Sequence, residues 1–326
     1  MDTTGTLFMP PQGSTVAPAV DNVFYTILGV SIFFFVLVIG AAAYFTIKYR
    51  RRGAAGPSAQ PDQNLTLEIV WTVIPLIIVV VIFAMGFRVY LKEIVAPRDA
   101  LEIKLSAQRW LWTFTYPNGF VSTNDLVVPE GKPVKLLMSS TDVIHGFYVP
   151  DFRIKQDVLP NRYTTAWFEA PDPGEHVLTC TQYCGRGHSE MRGTVRVVSQ
   201  SEYDKWLAAG PSGPAQGVPP EQYGQSLYKS KGCVSCHTTD GTASVGPTFK
   251  DMYGKKVALE DGQVMTADEN YIRTCILEPE KTRVKGFPAV MPTFQGTLND
   301  NDVDAIISFI KSLSEESGES SQGENK

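Results

Sequence analysis

The chain has 326 residues, 19% of them charged, with a formal charge of −5 and only five Cys. That length calls for two or three units. The net acidity excludes a nucleic-acid binder relying on a basic surface, and the sparse Cys exclude a disulfide-stapled scaffold. A mean hydropathy near zero, −0.07, means that strongly apolar stretches are averaged with ordinary soluble sequence.

In chain order, residues 1–22 form a lead that carries only Asp2 and Asp21 as charges. No charged residue lies between Asp21 and Lys48, or between Glu68 and Arg88. A helix needs about 20 apolar residues to cross the hydrocarbon core. The two runs therefore predict a transmembrane helical hairpin over residues 23–90, with helices at about 23–47 and 69–88. Pro75 is expected to kink the second near one end. The basic residues Lys48, Arg50, Arg51 and Arg52 follow the first run rather than precede it. That order argues against a signal peptide and for a retained anchor. By the positive-inside rule the connector at 48–67 is cytoplasmic. The lead, and everything after residue 90, then lies on the periplasmic or outer side of a bacterial cell membrane.

Residues 91–200 read as an all-β sandwich. Leu101–Leu105 alternates, and segments 133–138, 164–168, 176–179 and 194–198 are further strand candidates. Turn signals such as Pro117-Asn118-Gly119 and Pro171-Asp172-Pro173-Gly174 separate them. A Pro/Gly-rich linker is placed at 201–220. Residues 221–313 read as mostly helical, with segments at 221–231, 268–277 and 299–313. The tail at 314–326 is mainly Ser, Glu, Gly and Gln without a large apolar residue, a composition that predicts disorder.

Two constellations carry chemistry. In the first, Cys180, Cys184, His188 and Met191 fall within one short loop after a strand. Soft sulfur with imidazole suits copper, and two thiolates can bridge two copper ions in one electron-transfer centre. A second His must come from elsewhere; His145 lies between two strand candidates, and His176 inside a strand is read as a structural or surface histidine. A Cys180–Cys184 disulfide is the plain alternative on an oxidising side of the membrane, but it leaves His188 and Met191 unexplained. In the second, Cys233-Val234-Ser235-Cys236-His237 is the Cys-x-x-Cys-His attachment signature of c-type haem. No His follows His237, so the second axial ligand falls to a Met among Met252, Met265 and Met291. Met291 lies just before the last helix. Cys275 reads as a buried, inert thiol.

The pattern Cys180-x-Gln182-x-Cys184-x-x-x-His188-x-x-Met191, with His145 upstream, resembles the dinuclear CuA site of cytochrome c oxidase subunit II. The resemblance implies a cupredoxin-like Greek-key fold with both Cys bridging and His145, His188 and Met191 as terminal ligands. It assigns Gln182 a backbone-carbonyl contact. Many relatives have Glu there, whose side chain reaches a magnesium site, so the departure puts that magnesium in doubt. Trp110, in Trp110-Leu111-Trp112-Thr113-Phe114, resembles the family's aromatic stretch and is implied as the residue through which electrons arrive. Glu68, at the start of the second membrane helix, resembles the family's acid near a proton channel; an interfacial carboxylate is the alternative reading. The C-terminal unit resembles class I cytochromes c, with Pro247 implied as acceptor for the His237 ring N–H and Met291 as iron ligand.

Together these imply subunit II of a caa-type haem–copper oxidase with a fused cytochrome c. It would relay electrons from an external donor through covalent haem c and CuA to subunit I, with subunit III also a partner. A CuA-type nitric oxide reductase subunit and a membrane-tethered copper carrier are the rivals. Cys233, Cys236 and His237 speak against the carrier.

Overall fold

The computed structural model describes residues 4–50, 63–209 and 218–320. Two long helices open the chain, α1 (Ala17–Lys48) and α2 (Leu65–Ile94). At 1.5 Å per residue they are about 48 and 45 Å long, more than the roughly 30 Å of a hydrocarbon core. Their side chains from Phe33 to Ile39 and from Leu65 to Phe83 are mostly exposed, which is the surface that a lipid environment covers. Both helices are longer than the apolar runs alone indicate. Pro18 in the first turn starts α1 ahead of its uncharged run, and the Asn64 side chain caps α2 by accepting the Leu67 N–H at 3.1 Å. Pro75 lies inside α2, which is assigned as one helix throughout. Arg51, Arg52 and most of the basic connector lie outside the described residues.

The β unit is two five-stranded sheets. Its strands are β1 (Leu101–Gln108), β2 (Leu111–Thr115), β3 (Val121–Thr123), β4 (Asp125–Pro129) and β5 (Val134–Ser140). They continue with β6 (His145–Val149), β7 (Ile154–Val158), β8 (Thr164–Phe168), β9 (Gly174–Cys180) and β10 (Arg192–Val198). One sheet runs β3-β2-β1-β5-β8, the other β4-β10-β9-β6-β7. The pairs β1–β5 and β4–β10 are parallel, the other pairings antiparallel. This is the cupredoxin-like sandwich. Alternation explains it: β5 reads buried, partly exposed, buried along its whole length, which fixes its register against the opposite sheet. Ile103, Leu105, Trp112, Phe114, Leu136, Met138, Phe147 and Leu178 fill the space between the sheets.

The first half of the expected linker is instead α3 (Gln200–Ala209). Its Tyr203 is buried and its Trp206 meets the rings of Tyr116 and Phe120 at 5.2 and 4.7 Å. The sandwich holds this segment as a helix because two aromatic rings gain apolar cover. The Pro/Gly-rich remainder at 210–217 lies outside the described residues.

The C-terminal unit comprises α4 (Pro220–Ser230), a small hairpin β11 (Lys256–Ala258) and β12 (Val264–Thr266), α5 (Glu269–Leu277) and α6 (Asp300–Ser320). Leu227, Tyr228, Ile272, Ile276, Val303, Ile306 and Ile310 form its core. Helix α6 runs on to Ser320, into the segment whose composition predicts disorder. A helix already nucleated extends at one hydrogen bond per residue fixed, so it continues past Leu313, the last large apolar residue of the sequence. Residues 321–326 lie outside the described residues.

Candidate metal and haem centres

The first constellation closes at one end of the sandwich. Strand β9 ends at Cys180, β6 begins at His145, and the loop between β9 and β10 supplies Cys184, His188 and Met191. The two sulfurs lie 3.8 Å apart, well beyond the roughly 2.05 Å of a disulfide, so both thiols are free. Around them, His145 Nδ1 is 4.0 Å from Cys180 Sγ and His188 Nδ1 is 3.5 Å from Cys184 Sγ. Met191 Sδ lies 3.8 Å from Cys184 Sγ and the Gln182 carbonyl oxygen 3.2 Å from Cys180 Sγ. His145, Cys184 and Met191 are buried. All six sequence-derived donors are thus brought together.

The electrostatics of the metal-free pair favour giving up one proton. The Cys184 S–H beside Cys180 draws the Cys180 thiol well below the ordinary thiol range, and the same contact holds the second proton on Cys184. Burial works against the His145 imidazolium, but contacts with Cys180 and Asp142 outweigh it and raise that group. Two thiols, two imidazoles, a thioether and a carbonyl, with thiol–thiol spacing that leaves room for a bridged pair of soft cations, fit copper. Sequence reasoning missed Asp142, which accepts the His145 Nε2–H at 2.8 Å. Its only signal was an acid three residues before a candidate ligand.

Gln182 directs its side chain away from this cluster, donating through Nε2 to Asp157 Oδ1 at 3.0 Å. Its carboxamide therefore stands beside a carboxylate, and its carbonyl faces the sulfurs. His176 lies elsewhere, with Nδ1 2.8 Å from Asp151 Oδ2 in the turn after β6.

The second constellation lines an open apolar crevice. Cys233, Cys236 and His237 line it together with Ile272, Ile276, Phe294, Ile306 and Met291. His237 Nδ1 donates to the Pro247 carbonyl at 2.7 Å, and its ring stacks on Phe249 at 4.6 Å. Burial lowers the His237 imidazolium, which keeps the ring neutral with Nε2 free to bind iron. Burial also pushes the free thiols of Cys233 and Cys236 up, to about 12 and about 11. Met252 lines the same crevice as Met291; Met265, on exposed β12, does not. A neutral imidazole, two thiols and an apolar slot fit a covalently attached haem. Cys275 also lines this crevice and is half-buried.

Trp110 lies between the two centres. Its indole Nε1–H donates to the Cys184 carbonyl at 3.3 Å. A Cβ on Gly187 would stand 2.6 Å from its ring, so only glycine lets the copper-type loop lie on the indole. Trp110 also lines the crevice that holds Cys233, Cys236 and His237, and Cys236 and Val245 pack against the sandwich core. Glu68 is remote: it is exposed in the first turn of α2. It stands 24 residues, about 36 Å of helix, from Lys92, whose carbonyl accepts the Trp167 indole N–H of β8 at 3.0 Å.

Residues 2–89 match the transmembrane domain of cytochrome c oxidase subunit II, residues 119–198 its periplasmic domain, and residues 221–314 cytochrome c. Cytochrome c oxidase subunit 2 of Alkalihalophilus pseudofirmus is 28% identical over 94% of this chain and 90% of its own length. The protein of the same description from Synechocystis is 30% identical over 64% of this chain and 78% of its own length. A solved structure of the periplasmic domain of subunit II of cytochrome oxidase of Bradyrhizobium japonicum is 29% identical, covers 36% of this chain and 96% of that one, and has a TM-score of 0.35. With relatives matched over most of their own length and a cytochrome c unit following the sandwich, this chain belongs to the cytochrome c oxidase subunit II family.

Proposed function

We propose that the chain takes electrons from an external donor and passes them to the catalytic subunit I of a membrane oxidase that reduces oxygen to water. Subunit I, and with it subunit III, would sit against the exposed faces of α1 and α2 in the bilayer. When bound, a haem c on Cys233, Cys236 and His237 and a dinuclear copper centre on Cys180 and Cys184 would supply two one-electron sites. His145, His188, Met191 and the Gln182 carbonyl would complete the copper set, and Met291 would complete the iron. Pro247 fixes the plane of His237. The buried sulfurs and imidazole keep water away and limit reorganisation. Both outer ends of the helical hairpin meet the sandwich, and the positive-inside rule supports a cytoplasmic basic connector with the metal units on the periplasmic side. Glu68 then stands at the cytoplasmic end, where it would hand protons toward subunit I.

The observation that carries this reading is the double contact of Trp110, with the Cys184 carbonyl on one side and the haem-type crevice on the other. The test uses the full chain, purified with its partner subunits. Metal analysis should give two Cu per haem, with an EPR hyperfine pattern of one unpaired electron shared by two coppers. Trp110→Ala should slow haem-to-copper transfer by about tenfold or more while both spectra stay unchanged. One haem without copper, and a Cys180–Cys184 disulfide by mass, would sink the copper part of the proposal.

A further inference from the structure

One carboxylate touches both ends of the route from the crevice to the sulfurs. Asp142 sits in the short connection between β5 and β6. Its Oδ1 accepts the His145 Nε2–H at 2.8 Å, and its Oδ2 accepts the backbone N–H of Arg109 at 2.9 Å. The Arg109 Nε lies 3.4 Å from the same Oδ2. Asp142 is itself held in place: Oδ1 also accepts the Ser140 hydroxyl at 3.2 Å and the Val143 N–H at 2.6 Å.

The two principal bonds have distinct consequences. With Nε2–H committed to Asp142, the Nδ1 of His145 is the nitrogen left facing Cys180. A carboxylate on the outer nitrogen fixes the ring and makes the inner one a better electron donor. The Arg109 amide, in turn, is the last backbone donor before Trp110. Holding it sets where the indole meets the Cys184 carbonyl.

We infer that Asp142 is a positioning residue that ties the orientation of the copper-facing His145 to the placement of Trp110. This rests on the proposed relay and names the group that keeps its two steps in register. An Asn at this position keeps only one acceptor oxygen. It can satisfy His145 or the Arg109 amide, but its NH2 then opposes the other donor.

The test is made on the metal-loaded full chain with three variants. Asp142→Asn should keep the haem spectrum, raise the copper midpoint potential, change the histidine nitrogen hyperfine coupling, and slow haem-to-copper transfer about tenfold. Asp142→Ala should in addition weaken copper binding by about ten- to hundredfold. Arg109→Ala keeps the backbone N–H and removes only the guanidinium, so its copper potential and hyperfine coupling should match the parent chain. An unmoved potential, hyperfine coupling and rate in Asp142→Asn would overturn the inference. So would equal shifts in Arg109→Ala, because surface charge would then explain them. A parent chain without the shared-electron copper signal would overturn the relay itself, which separates the two failures.

Discussion

At the scale of single residues, donors of the two centres are set by strand ends and by specific hydrogen-bond partners. His145 is placed by the start of β6 and by Asp142, and Met191 by the start of β10. The donors themselves were legible, because thiols, imidazoles and thioethers at loop spacing have few other uses. Asp142, Phe249 and the Gly187 contact were not, since an acid, a ring and a glycine are common everywhere and gain meaning only from folding. Cys180→Ser should remove one bridging sulfur and abolish the shared-electron copper signal while leaving the haem spectrum intact. EPR and optical spectra of the same sample check both. For iron, Met291→Ala should remove the sulfur-to-iron absorption band of the oxidised haem. Met265→Ala should not, because Met265 stands on the exposed hairpin β11–β12, off the crevice. Loss of the band in Met252→Ala alone would move the ligand to Met252.

At the scale of elements, the most consequential contact joins the lead to the sandwich. Arg153 reaches Asp21 of α1 with Nε at 2.7 Å and Nη2 at 2.9 Å, and it also donates to the carbonyls of Pro10 and Pro11. Both charged side chains are almost fully buried, at 6% and 8% exposure. Gln12 adds a bond to Asp21, and the Ser14 hydroxyl donates to the Phe152 carbonyl. The membrane spans were legible from a run without charge, yet this clasp was not, because Asp21 and Arg153 are 132 positions apart and nothing in either neighbourhood marks the pairing. Helix α3 was hidden for a related reason: its Tyr203 and Trp206 gain cover from rings far away in sequence, Tyr116 and Phe120. Removing one partner of a buried ion pair strands the other, at a cost of about 3–5 kcal/mol. Arg153→Met should therefore lower the unfolding temperature of the sandwich and expose residues 5–16 to protease. The haem unit, which makes no part of the clasp, should keep its own transition.

At the scale of the whole molecule, the cytochrome unit occupies the face of the sandwich where Trp110 lies. In the proposed relay, transfer between the two centres would be a contact within one chain rather than a diffusional meeting, and its rate would follow an effective concentration. The haem-to-copper rate should not change when the complex is diluted, whereas reduction of the haem by an external donor should slow in proportion. The contact itself can be loosened at one position. Gly232, just before Cys233, has a left-handed φ of 79° and its Cα stands over Asn124: a Cβ there would lie 2.9 Å from Asn124 Nδ2. Asn124 cannot simply swing aside, because its Oδ1 accepts the Trp112 N–H at 2.8 Å within the buried sandwich. Gly232→Ala should thus part the two units while leaving each centre's ligands in place. Flash-induced transfer should slow, with both optical spectra and the copper hyperfine pattern unchanged. An unaltered rate in this variant would mean that the units transfer electrons from an arrangement in which Gly232 and Asn124 do not meet.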